Sequence, residues 1–118
     1  MKLAITDVKD AGDLSKERIV MKVVSATDIG RFAIFEAGTQ DNTITTGVVD
    51  IFWFPNAEVD SGDFVVLYTK SGSEKTKGIS GGRNTHFFYW GADKAKWESR
   101  DVAPVLVYTS DWQAFMRE

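Results

Sequence analysis

Apolar and polar residues alternate along most of this chain with a period of two, the pattern of β-strands whose two faces meet different surroundings. Between residues 19 and 24, for example, Ile19, Met21 and Val23 fall on one face. Seven segments rich in β-branched and aromatic residues have strand character: 3–8, 19–24, 32–35, 48–54, 63–69, 85–90 and 105–109. Gly, Asp, Asn and Ser separate them, as in turns. The pattern predicts an all-β sandwich or barrel of about seven to eight strands, mostly antiparallel.

The segments between these predicted strands contain little helical signal. Residues 92–97 and 110–116 are each compatible with a short helical turn at most, the second with Ser110 or Asp111 as its N-cap. The stretches 38–47 and 71–84 are predicted as long loops, which in a small domain are usually functional or mobile.

Composition narrows the class of protein further. The 118 residues are 43% hydrophobic and 26% charged, with a formal net charge of −3, so we expect residues 1–118 to form one domain with its own core. The net acidity provides no overall attraction to nucleic acid or to a membrane. We expect a cytoplasmic protein with no membrane insertion, because no apolar run has the length of a signal peptide or a membrane span. A secreted parent protein stays an alternative.

The chain contains few residues of the types that act in catalysis or bind metals. The chain has no cysteine, which excludes thiolate nucleophiles, disulfides and Cys-ligated metals, and His86 is its one histidine. Its aspartates are scattered, without the spacing of a calcium loop. The sequence therefore predicts no metal site, no cofactor and no catalytic residue.

Three motifs, read in order, resemble the lamin-tail domain, an immunoglobulin-like β-sandwich of nuclear lamins and many bacterial proteins. The stretch 28–34 (Asp-Ile-Gly-Arg-Phe-Ala-Ile) is similar to the family's turn before its third strand. Phe54-Pro55, followed by Asp60-Ser61-Gly62-Asp63 and an apolar strand, has the family's pattern and spacing. Trp97, a turn, Asp101 and a last apolar strand complete it. The resemblance spans roughly residues 3 to 110, and it implies an immunoglobulin-like sandwich in which Trp97 is structural.

Aromatic residues suggest one candidate surface. Neighbouring side chains along a strand point to opposite faces, so adjacent aromatic residues in 85–90, and around Trp53, place aromatic rings on both faces of a strand. We predict that such rings offer a patch to a protein partner, possibly a second copy of the chain. The predicted partner-binding residues are Trp53, Phe87, Tyr89, Trp90 and Trp112, with Phe115 beside them.

A basic, Gly-rich segment suggests an alternative function, the binding of a polyanion. Residues 70–83 carry four cations against one acid, and such a loop can contact phosphates, although it lacks the phosphate-loop spacing. The residues that would bind a polyanion such as nucleic acid are Lys70, Lys75, Lys77, Arg83 and His86. The sequence thus favours a non-catalytic binding module with a protein partner or a homo-oligomer. Nucleic-acid binding comes second, and carbohydrate binding, suggested by four tryptophans, comes third.

Overall fold

Ten β-strands make up the regular structure of the computed structural model, which describes residues 1–117. Eight strands have four or more residues: β1 (Leu3–Lys9), β2 (Arg18–Val23), β4 (Phe32–Gln40), β5 (Thr43–Trp53), β7 (Phe64–Tyr68), β8 (Lys75–Gly78), β9 (Asn84–Tyr89) and β10 (Val102–Tyr108). The other two, β3 (Thr27–Asp28) and β6 (Glu58–Val59), have two residues each. Two 3₁₀ turns, Ile29–Arg31 and Ser80–Gly82, interrupt them.

The strands form two main sheets. A five-stranded sheet has the order β1-β2-β7-β9-β8, a three-stranded sheet has the order β10-β4-β5, and β3 pairs with β6 in a short ribbon. All neighbouring strands are antiparallel except β7 and β9, which run parallel because β8 lies between them in the chain and pairs with the far side of β9. The predicted all-β, mostly antiparallel fold is confirmed, and the arrangement is compatible with a β-sandwich.

The core lies between the two main sheets. Ile19 and Met21 of β2 and Leu67 of β7 face Phe32 and Ile34 of β4 in one buried apolar cluster. Phe54 and Phe88 join the sheets through ring centroids 5.1 Å apart in an edge-to-face arrangement, which stabilises such pairs by about 0.5–1.5 kcal/mol beyond the burial itself. The apolar residues at alternate positions of these strands are therefore the ones that face the core.

The predicted loop over 38–47 is wrong, because this stretch is a β-hairpin. Strands β4 and β5 are joined by a tight turn in which Asp41 and Asn42 have φ values of 53° and 61°. Asn and Asp tolerate this left-handed region, which the favoured two-residue hairpin turn requires. Gly38 and Gly47 do not end the strands. They lie within β4 and β5 where the pairing register shifts.

The predicted loop over 71–84 is also wrong in part, since it contains β8 and a 3₁₀ turn. The sequence does not predict β8 because its residues are not apolar at alternate positions. Lys75, Thr76 and Lys77 are polar and exposed at the edge of the five-stranded sheet. Lysine on an edge strand is a common protection against unwanted strand pairing. The segments 92–97 and 110–117 contain no helical turn. Among the described residues, no helix is long and apolar enough to span a bilayer.

Candidate functional site

Over residues 33–37, 49–53 and 103–107, the three-stranded sheet turns an apolar face away from the core. Strand pairing places alternate residues of β4 and β10 beside Ile51 and Trp53 of β5, and Val49 lies next to them at a shift of the pairing register. This apolar outer face consists of Ala33, Phe35, Ala37, Val49, Ile51, Trp53, Ala103, Val105 and Val107. On β5, the side chains of Val49, Ile51 and Trp53 are 68%, 50% and 47% exposed. The solvent face of an antiparallel sheet is normally polar, so this surface has the character of an interaction site.

Strand β5 also forms an edge of its sheet. It pairs with β4 on one side, and no other described residue pairs with its second side. Residues 43–53 contain neither lysine, arginine nor proline, and their one charged residue, Asp50, points inward. Apart from two register shifts, one at Val49 and one between Ile44 and Val48, β5 therefore lacks the features that usually protect edge strands.

Trp53 links the apolar outer face to the segment after β10. Its indole Nε1 donates a hydrogen bond of 2.8 Å to the carbonyl of Gly30, and its ring packs edge-to-face against Trp112 at 5.2 Å. Trp112 is 62% exposed, and Phe115 and Met116 beyond it are exposed as well. Exposed apolar side chains thus continue from the sheet onto the end of the described chain.

A different surface lies on the outward side of the five-stranded sheet. The rings of Tyr68 and Tyr89 are stacked at 5.4 Å, and Phe87 lies 6.4 Å from Tyr68. The Lys70 ammonium group lies 4.9 Å from the centre of the Tyr68 ring, and the Lys75 ammonium group lies 5.6 Å from that of Phe87. We call this surface the basic–aromatic face; it comprises Arg18, Tyr68, Lys70, Lys75, Lys77, Phe87 and Tyr89.

The five predicted partner-binding residues are distributed over three places. Trp53 and Trp112 are together at the apolar outer face. Phe87 and Tyr89 belong to the basic–aromatic face of the other sheet. Trp90 points between the sheets, with its ring 5.7 Å from Phe52 and 6.0 Å from Trp97. The structure does not bring these residues into one patch, because β5 and β9 belong to different sheets.

The sequence did not predict the other residues of the apolar outer face. Phe35, Ile51, Val105 and Val107 alternate with core residues, and each strand taken alone resembles an ordinary buried strand. The available signal was that the segments 32–35, 48–54 and 105–109 are apolar at both odd and even positions. A strand apolar on both sides must be covered on both sides or leave one side unpartnered.

The predicted polyanion-binding residues also separate. Lys70, Lys75 and Lys77 share the basic–aromatic face, whereas Arg83 lies near Gly62 at another turn. His86 is buried, on the inward side of β9. Its Nε2 lies 2.8 Å from the Asp63 carboxylate and its Nδ1 lies 3.3 Å from the Thr76 hydroxyl. His86 therefore ties β8 and β9 to the start of β7, and it presents little surface to a polyanion.

Asp63 is the centre of this buried cluster. Besides the contact with His86, its carboxylate accepts hydrogen bonds of 3.0 Å from the backbone N–H groups of Asp60 and Asn84. Burial of the carboxyl opposes ionisation, but the hydrogen bonds from His86, Asp60 and Asn84 outweigh burial and lower the pKa of Asp63. The negative charge of Asp63 is thus part of the folded state.

Glu17 is a second buried carboxylate with several donors. It accepts hydrogen bonds from the backbone N–H groups of Gly12 (2.9 Å), Lys96 (2.8 Å) and Trp97 (3.1 Å), and from the Thr69 hydroxyl. Burial again opposes ionisation, and the four hydrogen bonds outweigh it and lower the pKa of Glu17. Glu17 therefore anchors the segment 96–97, which crosses the end of the core and brings in the buried Trp97.

Lys96 joins the two sheets on the side near β5. Its ammonium group lies 2.9 Å from the Glu36 carboxylate and 3.0 Å from that of Asp50, and it lies 4.6 Å from the centre of the Trp90 ring. Burial opposes its positive charge, yet the two acids dominate and raise the pKa of Lys96. The hydrogen bond from Lys96 is the main reason that the pKa of Asp50 is lowered. These charges are satisfied internally, so we interpret the cluster as structural.

The lowered pKa values of Glu17, Asp50 and Asp63 predict loss of stability in acid. Their stabilising effect is complete above the pKa of the unfolded chain, about 4 for such groups, and is lost as pH falls through the lower folded-state values. We expect the urea midpoint of the native protein to fall steeply below about pH 4. Glu17→Gln removes one titrating group, so its curve should be less steep. Parallel curves for the two proteins would contradict a role for ionised Glu17.

The described residues contain no group of three or more His, Asp or Glu side chains placed to hold a metal ion. An open groove of about 690 Å³ lies beside the turn between β4 and β5, lined by residues that include Asp41, Asn42, Arg100 and Asp101. The extended surfaces of the two sheets, rather than a pocket, are therefore the candidate functional sites.

Comparison with known proteins adds no assignment to these surfaces. No protein-family model matches the chain, and no curated protein sequence matches it either. The fold defines an all-β domain with two different outward-facing sheet surfaces.

Proposed function

We propose that this chain is a non-catalytic interaction domain that associates with a second copy of itself through the apolar outer face. The observation that carries the proposal is that the outward positions within residues 33–37, 49–53 and 103–107 are all apolar, and that Val49, Ile51 and Trp53 are 68%, 50% and 47% exposed. A second copy fits this surface because an uncharged face is complementary to itself, and a two-fold interface places the same patch on both partners. A strongly charged partner would find no counter-charge there.

The free energies are of the right size for such an interface. Burying one side chain of this kind contributes about 1.5–3 kcal/mol. That value is for a fully exposed side chain, and these three are 68%, 50% and 47% exposed, so the six in a dimer contribute about 5–10 kcal/mol against an association cost of about 4–15 kcal/mol. The unprotected edge of β5 adds backbone hydrogen-bonding groups at the border of the same face. We therefore expect a reversible dimer.

We also propose that the domain is an immunoglobulin-like relative of the lamin-tail family. Two positions in the resembling motifs support this. Asp28 accepts hydrogen bonds from the backbone N–H groups of Gly30 (2.8 Å) and Ala57 (3.0 Å), so it joins the turn before β4 to the segment after β5. Trp97 is buried in the core, as a structural tryptophan of that family should be.

Light scattering behind size exclusion, over a hundredfold range of concentration, tests self-association by mass action. We expect the measured mass to rise from that of a monomer to that of a dimer. Ile51→Lys should keep the protein monomeric at every concentration, because it sets two like charges facing each other across a two-fold interface. Ile51 is 50% exposed, so the lysine is tolerated in the monomer.

Val24→Lys is the matched control, since Val24 is 56% exposed but lies at the end of β2 on the other sheet. This variant should associate as the native protein does. A native protein that stays monomeric at all concentrations would overturn the proposal. So would an equal loss of association in the two variants.

A further inference from the structure

We propose that the basic–aromatic face binds single-stranded nucleic acid, as a function separate from self-association. The two surfaces belong to the outward sides of different sheets, with the core between them. Occupation of one therefore leaves the other accessible, and their tests give independent readouts.

The aromatic part of the face has the geometry of a stacking platform. Tyr68 of β7 and Tyr89 of β9 are paired in register, and their ring planes are within 10° of parallel. Phe87 lies two residues before Tyr89 on the same side of β9, and its ring is inclined by 25° to that of Tyr68. All three rings are half-buried, and Gly72 packs against the ring of Tyr89, so only part of each ring is open to solvent. Rows of aromatic side chains on a sheet are what unpaired bases stack on, whatever their sequence.

Lysine side chains lie beside the rings of this face. The ammonium groups of Lys70 and Lys75 lie near the rings of Tyr68 and Phe87 in cation–π contacts, which are weak where water reaches them. Lys77 is two residues from Lys75 on the same side of β8. None of the three forms a salt bridge with another described residue, whereas Arg18 on the opposite border is paired with Asp10 at 2.7 Å. Three unneutralised lysines are thus concentrated on one sheet of a chain whose net charge is −3.

The same features distinguish a single strand from other polyanions. A duplex keeps its bases stacked inside, so it can use the lysines but not the rings. A sulfated polysaccharide lacks flat bases and depends on charge alone. Binding that needs both the lysines and the rings is therefore the signature of single-stranded nucleic acid.

Fluorescence anisotropy with a labelled oligothymidine at low salt tests the proposal. We expect saturable binding to the full chain that weakens as salt increases. The triple variant Lys70→Ala, Lys75→Ala and Lys77→Ala should bind at least about tenfold more weakly, and the slope of log affinity against log salt should fall by about 2, since each phosphate contact on a single strand contributes about 0.7. Phe87→Thr, which keeps a β-branched residue in the strand, should weaken binding about tenfold while changing the salt slope little.

The matched control removes the same charge elsewhere: Lys2→Ala, Lys16→Ala and Lys94→Ala, all exposed and outside the face. It should bind as the native protein does, with all variants checked for native circular dichroism. If Phe87→Thr fails to fold, the lysine triple variant and its control decide the outcome. The proposal is overturned by absent binding at low salt, by equal losses in the two triple variants, or by equal affinity for a duplex or heparin.

Discussion

Glu17→Ala should lower the free energy of unfolding by about 4 kcal/mol, measured by urea denaturation at pH 7. The carboxylate accepts hydrogen bonds from three backbone N–H groups and from the Thr69 hydroxyl. Alanine leaves these donors without a partner inside the protein, and each buried donor without a partner costs about 1–3 kcal/mol. Two of them, Lys96 and Trp97, hold the segment that brings Trp97 into the core. The loss therefore extends from hydrogen bonding to packing.

Two variants separate the role of the buried carboxylate from a general loss of charge. Glu17→Gln keeps the shape and one acceptor oxygen, so we expect a smaller loss of about 1–2 kcal/mol. Glu98→Ala removes an exposed acid next to Trp97 and should change stability by less than about 0.5 kcal/mol. If Glu17→Ala were as stable as Glu98→Ala, the four hydrogen bonds would have no net stabilising effect.

Asp63→Ala is expected to lower the free energy of unfolding by about 3 kcal/mol, because the backbone N–H groups of Asp60 and Asn84 and the ring of His86 lose a common acceptor. These contacts hold the start of β7 to the start of β9, the one parallel pair of strands. Hydrogen exchange should accordingly rise first in β8 and β9. The combination of a lower urea midpoint and local loss of protection is the result that we expect.

Asp60→Ala provides the comparison within the same turn. Its side chain is exposed, and its contacts with residue 63 are made by its backbone, which alanine keeps. We expect a change of less than about 0.5 kcal/mol for this variant. A loss as large as that of Asp63→Ala would mean that the turn conformation, rather than the buried carboxylate, stabilises this corner.

The sequence was most informative about the strands that line the core. Period-two alternation placed Ile19, Met21 and Val23 on one face, and all three are fully buried. It was least informative about polar strands and tight turns. Strand β8 has the composition of a solvated loop, and the Asp41-Asn42 turn lies inside what looked like one flexible stretch. A sheet edge tolerates lysine and threonine because one of its sides needs no apolar neighbour.

Candidate surfaces were harder to predict than strands, for a related reason. Alternation correctly separates Phe88 and Trp90 from Phe87 and Tyr89 along β9, but it contains no information about which strands are neighbours. Trp53 was expected beside Phe87, and the two lie on different sheets. The sequence places His86 just after a basic segment, but its position on the inward side of β9 places it against Asp63.

By itself, then, the sequence determined the all-β class, the residues that face the core, and the absence of cysteine chemistry, because each of these follows from composition or from contacts between residues near in the chain. Tertiary structure alone decided the rest. Pairing of β4 with both β5 and β10 assembled nine separate apolar residues into one face. The parallel pairing of β7 with β9 stacked Tyr68 on Tyr89 under the lysines of 70–77. Buried carboxylates accept hydrogen bonds from donors up to 80 residues away in the sequence, as Glu17 does from Trp97. Such surfaces depend on which strands become neighbours, and strand pairing is set by packing of the whole chain rather than by any local pattern.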